Sequence, residues 1–296
     1  MRNITYDTIT DAVIASIDGT DDPHLKEILG AFIRKTHEWV KEVDLSHEEW
    51  EAAMNFLLRA GGISDEKRNE FVLLSDLIGV SSLVDMIASN AEPGASERSV
   101  LGPFYVADAP FLEIGGDLVG DNEGDRVVFQ GTVRSTGGAP IAGAVLDVWQ
   151  NAANGLYSNV DPGQDDNNLR CRMRTDDNGF YCFSSIRPIA YEVPDDGAGG
   201  EFMRATGRHC WRPTHLHVRV GAEGHSELVT EGHSELVTEV FNTLDKYIDE
   251  DATFGVRESL AIPFDRKPSE AELARHANLE RPFKMVDFDF TLRPVG

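Results

Sequence analysis

Apolar positions in the first third of the chain recur at the three-and-four spacing that gathers them on one stripe of a helix. From Pro23 the stripe is Leu25, Ile28, Leu29, Phe32, Ile33, Trp39 and Val40. Pro23 suits an opening turn, where its missing N–H has no partner to lose. Ser46 followed three residues later by Glu49 forms a capping box. It predicts a second helix through Trp50, Ala53, Met54, Leu57 and Leu58 that stops at Gly61 and Gly62. A third helix is predicted over residues 65–78 and a shorter one over 81–88. Short amphipathic helices must bury their stripes against something, either the rest of the chain or a second copy of themselves.

From about Leu118 the pattern changes to short runs with strand composition: 126–133, 144–150, 179–184, 215–220 and 283–292. Turn residues cluster between them, at 135–140 and 176–179. The fold class predicted is mainly β: an antiparallel β-sandwich preceded by an N-terminal α-helical dimerisation segment. The boundary is placed in a linker over 90–99, giving a helical domain 1–95 and a sandwich domain 96–296.

The octapeptide GHSELVTE occurs twice in tandem, at 224–231 and 232–239. Eight is even, so inserting the unit in a strand preserves the face of every downstream side chain. The duplication reads as a tolerated lengthening of a hairpin rather than a functional repeat.

Charge narrows the function classes. There are 51 acidic and 27 basic residues, a formal net charge of -24 and a pI near 4.6. Such a surface repels phosphate backbones and anionic bilayers, which argues against nucleic acid and membrane partners. Mean hydropathy is -0.29, and no apolar run approaches the length of a membrane span. Three cysteines, Cys171, Cys182 and Cys210, form no CxxC pair, and nothing near Met1 has the pattern of a secretory signal. A cytoplasmic location with free structural thiols is expected.

The segment WRPTHLHV, from Trp211 to Val218, carries the candidate chemistry. Two apart on a strand, His215 and His217 share a face and can hold one metal ion, while Leu216 and Val218 point to the core. Taken alone, the pair fits two hydrogen-bonded histidines on a sandwich face equally well. Tyr157 and Tyr191 lie upstream in loop-like stretches and read alone as amphipathic plugs at strand ends. Together the four admit a sharper reading, because phenolate is a hard donor that favours a trivalent ion whereas two imidazoles suit zinc, copper or ferrous iron.

The segments LGPFYVADAP, GAPIAGAVLDVWQNAANGLYS, RTDDNGFYCFSSIRP, YEVP and RPTHLHV together resemble the intradiol ring-cleavage dioxygenases, ferric enzymes acting on catechols. The resemblance spans nearly the whole chain. It is strongest to the members that cleave hydroxyquinol, with those that cleave catechol and chlorocatechol close behind.

The resemblance implies one Fe(III) per subunit held by Tyr157, Tyr191, His215 and His217, with Tyr157 and His215 equatorial and Tyr191 and His217 axial. It gives Tyr191 a second task, receiving a substrate proton, and makes Arg212 a catalytic cation beside the ring. It places Leu73, Asp76, Val100, Leu101, Gly102, Phe104, Val193 and Pro194 in the substrate pocket, together with Arg212. Asp76 as an acceptor for a third ring hydroxyl favours hydroxyquinol over catechol. The resemblance further implies dioxygen as co-substrate and a homodimer through the N-terminal helices with phospholipid bound at that interface. Two positions depart from the family: Glu192 follows Tyr191 where proline is frequent, and an acid stands where glutamine is usual, at Glu239 or, given the duplication, Glu231. A non-catalytic sandwich with an incidental zinc site is the alternative of another class.

Overall fold

The computed structural model describes residues 3–65, 68–221, 229–230 and 233–294. By contacts the chain divides into two compact units, Met1–Arg59 and Ala60–Gly296. In the first, α1 (Ile9–Ser16) packs on α2 (Pro23–Glu42), and Thr10 Oγ1 lies 3.0 Å from His37 Nδ1 between them. Asp22 caps α2, its carboxylate accepting from the backbone N–H of His24 and Leu25. The capping box of α3 (His47–Ile63) forms in both directions, Ser46 N–H to Glu49 at 2.9 Å and Glu49 N–H to Ser46 Oγ at 3.2 Å.

The predicted stop at Gly61 and Gly62 is corrected: α3 continues through both glycines to Ile63. Ser64 closes the last turn, its hydroxyl donating to the Ala60 carbonyl at 2.7 Å. The helix expected over 65–78 is shorter, α4 (Glu70–Leu77), because the Asn69 side chain accepts from the N–H groups of Phe71 and Val72 and fixes the start there. Gly79 then turns the chain at φ +74° into α5 (Val80–Asn90). In the second unit α4 contacts both α5 and a helix absent from the sequence reading, α6 (Ala198–Ala205). A short α7 (Glu270–Arg275) is likewise new.

The strands of the second unit are, in order, β1 (Gly116–Asp117), β2 (Arg126–Ser135), β3 (Val145–Trp149), β4 (Arg170–Arg174), β5 (Phe180–Ile186), β6 (Tyr191–Glu192) and β7 (Trp211–Arg212). They continue with β8 (His215–Gly221), β9 (Val229–Thr230), β10 (His233–Ser234), β11 (Leu236–Asn242), β12 (Ala261–Ile262), β13 (Phe283–Asp287) and β14 (Phe290–Leu292). One sheet has the order β12-β11-β8-β3-β4; the other runs β1-β5-β2-β13, with β14 also on β2. The core joins apolar side chains of both, among them Val127, Phe129 and Phe183 from one and Leu146, Val148, Leu216, Val218 and Val240 from the other. The protein is thus a β-sandwich with an N-terminal helical segment.

The sandwich is antiparallel at its centre, but β1, β12, β13 and β14 join its edges in parallel, which the alternation of side chains could not reveal. The single run predicted over 283–292 is two strands. A Cβ on Gly131 of β2 would lie 1.8 Å from the Phe288 carbonyl oxygen, so the chain bulges there over a bare glycine. Asp289 fills the gap by accepting from Thr132 N–H at 2.7 Å. Most of the first GHSELVTE copy, including Glu231, lies outside the described residues. The second ends within β11. Among the described residues no single helix is long and apolar enough to cross a membrane.

Candidate active site

β8 runs between β3 and β11, and His217 to Val220 are paired on both sides. Opposite His217 stand Trp149 on β3 and Glu239 on β11. The indole of Trp149 stacks on the imidazole, centroids 4.8 Å apart and planes 5° from parallel. Tyr191 lies on β6 rather than in a loop, directly opposite Arg212 on β7. Tyr157, in the β3–β4 connection, stacks on Phe104 at 4.4 Å and meets Tyr191 edge-on at 5.6 Å. All four candidate ligands are buried.

Their polar atoms converge. His215 Nε2 is 3.2 Å from His217 Nε2 and 3.4 Å from Tyr157 Oη. His215 Nδ1 is 2.7 Å from the Pro213 carbonyl, which can only accept, so that nitrogen carries the proton and Nε2 presents a lone pair. Burial, reinforced for His217 by its neighbour His215 and for both by Arg212, lowers the imidazole pKa values and keeps both rings neutral. Burial pushes both phenols above their ordinary 10, and the neighbouring phenol raises Tyr157 further. For Tyr191, Arg212 opposes part of that rise. Two imidazole nitrogens and phenol oxygens crowded into a dry site, with His217 Nδ1 lacking a hydrogen bond, form a donor set that fits a metal ion.

Arg212 lies inside the protein, being only 2% exposed. It donates through Nη1 and Nη2 to Glu239 at 2.7 and 3.0 Å, and through Nε and Nη2 to Asp251 at 3.0 and 3.2 Å. Burial would weaken its charge, but Asp251 and Glu239 more than restore it. Asp251 gave no sequence signal; it belongs to a turn that binds its own backbone, accepting from Thr253 and Gly255 N–H. Among the described residues, His215, His217 and Glu239 form a His/Glu cluster with ligand atoms within 4.8 Å of one another.

A cavity of about 870 Å³ opens onto Tyr191 and Arg212. Its wall includes every residue assigned to the pocket by sequence: Leu73, Asp76, Val100, Leu101, Gly102, Phe104, Val193 and Pro194. Gly102 lines it at φ +69°, and a Cβ there would come within 3.3 Å of His217 Cε1. Asp76 is buried, and desolvation, against the pull of Ser81 and Arg212, pushes its carboxyl up to about 6. Asp85 on α5, unmarked in the sequence, also lines this cavity, its carboxyl pushed up by burial. Glu192 points elsewhere, toward Cys210 Sγ at 3.6 Å.

The chain is similar to known proteins over almost its whole length. Residues 22–96 match the family described as catechol dioxygenase N terminus, and residues 100–294 match the family described as dioxygenase. A hydroxyquinol 1,2-dioxygenase of Rhizobium sp. (strain MTP-10005) is 44% identical over 95% of this chain and 93% of its own. The crystal structure of hydroxyquinol 1,2-dioxygenase from Pseudomonas putida DLL-E4 superposes with a TM-score of 0.87 at 36% identity, covering 98% of both chains. Catechol 1,2-dioxygenase of Acinetobacter radioresistens gives 0.82 at 27% identity, over 100% of this chain and 95% of that one. A sandwich that gathers two histidines, two tyrosines and a buried arginine beside a cavity, and that matches these families over almost its whole length, belongs to the intradiol ring-cleavage dioxygenases.

Proposed function

We propose that this protein cleaves the ring of hydroxyquinol between its two adjacent hydroxylated carbons, using dioxygen at one Fe(III) per subunit held by Tyr157, Tyr191, His215 and His217. The observation that carries the reading is the convergence of those four side chains beside a cavity whose wall holds the carboxyl of Asp76. Similarity to hydroxyquinol-cleaving relatives at 36–44% identity supports the substrate. When bound, ferric iron supplies the electron-poor centre that holds a deprotonated catechol and opens its ring to dioxygen.

The protein's own groups set up that chemistry. Neutral His215 and His217 offer lone pairs without first losing a proton. Tyr191, which would hold the metal as a phenolate, would take up a substrate hydroxyl proton at Oη. Arg212, cationic and fixed by two carboxylates, faces the cavity and stabilises negative charge that spreads over the ring. Asp76, which also interacts with Ser81, accepts from the third hydroxyl, and plain catechol leaves that contact unmade. Phe104 and Val193 keep the cavity dry around the ring. The product is 3-hydroxy-cis,cis-muconate, which tautomerises to maleylacetate and retains both atoms of dioxygen.

The division at residue 95 and dimerisation through the helices belong to the same proposal. In the first unit Leu25, Ile28, Phe32 and Trp39 of α2 are 45–67% exposed, a stripe suited to a second copy and to lipid acyl chains. The free thiols suit a cytoplasmic protein.

Oxygen uptake by iron-assayed protein tests the reading, with hydroxyquinol, catechol and a chlorocatechol compared at equal concentration and corrected for autoxidation. A preference for hydroxyquinol is expected. A preference for catechols would retain the chemistry and overturn the role of Asp76, whereas iron-replete protein inert to all three would favour a binding module.

A further inference from the structure

Glu239 is fully buried, and besides holding Arg212 its carboxylate lies against both site histidines. Its place is set by strand pairing, since it stands opposite His217 across the β8–β11 ladder and its side chain shares that face of the sheet. Oε1 lies 2.7 Å from Arg212 Nη1, 3.4 Å from His215 Nε2 and 3.4 Å from His217 Nδ1. Oε2 accepts from Arg212 Nη2 at 3.0 Å and from Ser99 Oγ at 2.7 Å. Gly255 leaves room for this arrangement, because a Cβ there would fall 2.9 Å from Oε2.

His217 supplies the complementary need. If its Nε2 faces a metal, the proton must be on Nδ1, and Nδ1 is a buried nitrogen with no hydrogen-bond partner. The nearby carboxylate oxygen is Glu239 Oε1 at 3.4 Å, and a small rotation of either side chain would align it to accept that proton. Direct ligation by Glu239 is disfavoured because Arg212 engages both of its oxygens and Ser99 one. Counted together, Arg212, Glu239 and Asp251 carry one positive and two negative charges, so the buried network beside the donors is net anionic.

We infer that Glu239 is a positioning residue of the metal centre: its carboxylate orients His217 through Nδ1–H and adds a negative charge that favours the ferric over the ferrous ion. The inference rests on the proposed iron site. A carboxamide would keep the shape of the side chain and lose that charge, and its NH₂ end could not accept from Arg212.

The test compares wild-type protein, Glu239→Gln and Glu239→Asp, each loaded with iron and monitored by the visible phenolate-to-iron band, a redox titration and iron loss to a chelator. For Glu239→Gln the expected results are a band moved to longer wavelength, easier reduction and an iron affinity lowered ~10–100-fold. Glu239→Asp, which keeps the charge, should remain near wild type in band and potential. A Glu239→Gln protein with unchanged band, potential and iron retention would overturn the inference. So would a folded variant, checked by far-UV circular dichroism, that cannot bind iron at all, because Glu239 would then be a ligand. Wild-type protein that takes up iron without a visible band would instead count against the phenolate site itself.

Discussion

The donor cluster and the cavity wall are built differently. His215, His217, Tyr191 and Arg212 lie on paired strands, where the ladder fixes which side chains meet and the buried sheet leaves them little freedom. The facing wall comes from α4, α5 and the turn at residues 100–104, pieces held by side-chain contacts and caps rather than by a continuous ladder. In the proposed reading, chemistry that tolerates little geometric error falls to the first region and discrimination between substrates to the second. Changes in the strands should therefore lower turnover of every substrate together, while changes in the wall should alter the ratio between substrates.

His217→Ala should have the largest effect, loss of iron and of oxygen uptake with every catechol; full iron occupancy by elemental analysis would break the comparison at its base. Tyr191→Phe should retain the fold and slow turnover by ~10²–10⁴-fold, the usual worth of a proton-transfer group. Equal loss for hydroxyquinol and catechol would show that the strand-borne region is blind to the third hydroxyl. Asp76→Ala should leave catechol turnover within a few fold and reduce the hydroxyquinol-to-catechol ratio of kcat/KM by roughly 10- to 100-fold. An unchanged ratio would remove the wall from specificity.

The smallest effect concerns stability. Raising the Asp76 carboxyl from its ordinary 3.8 to about 6 costs the folded state up to roughly 3 kcal/mol at neutral pH. The unfolded chain loses this proton near 3.8 and the folded chain near 6, so the cost is absent below the lower value and complete above the upper one. Asp76→Asn should accordingly raise the Tm at pH 7–8, with the gain vanishing as pH falls toward 4. A gain independent of pH would mean that burial of the charge is not its source.

The same contrast decides what the sequence made legible. The HxH pair needed only the period of a strand, and the helix starts at Pro23 and Ser46 followed from local caps. The two glycines that ended α3 on paper do not end it, because closure of its last turn by Ser64 is a contact that propensity does not weigh. Glu239 could be suspected but not chosen over Glu231, since identical octapeptides carry identical local signals. Strand pairing with His217 settles which acid lies in the site. Asp251 and Asp85 were invisible, since Asp251 meets Arg212 across 39 residues and Asp85 reaches the cavity only through the packing of α5. The parallel edges of the sandwich escaped for the same reason, because strand direction depends on long-range connection and leaves no mark on side-chain alternation.

The duplicated octapeptide poses a problem during folding. Leu228 to Glu231 repeats Leu236 to Glu239 residue for residue, so β8 meets two segments able to pair with it and to set a glutamate opposite His217. The choice falls to the next two positions, where Val240 and Phe241 fill the core in the observed register and Gly232 and His233 would replace them in the other. Losing a buried valine and phenylalanine is worth roughly 3–6 kcal/mol, ample to decide the final population. The two segments offer β8 the same local pairing until those two side chains dock, so the register that brings Glu239 to His217 is selected by Val240 and Phe241.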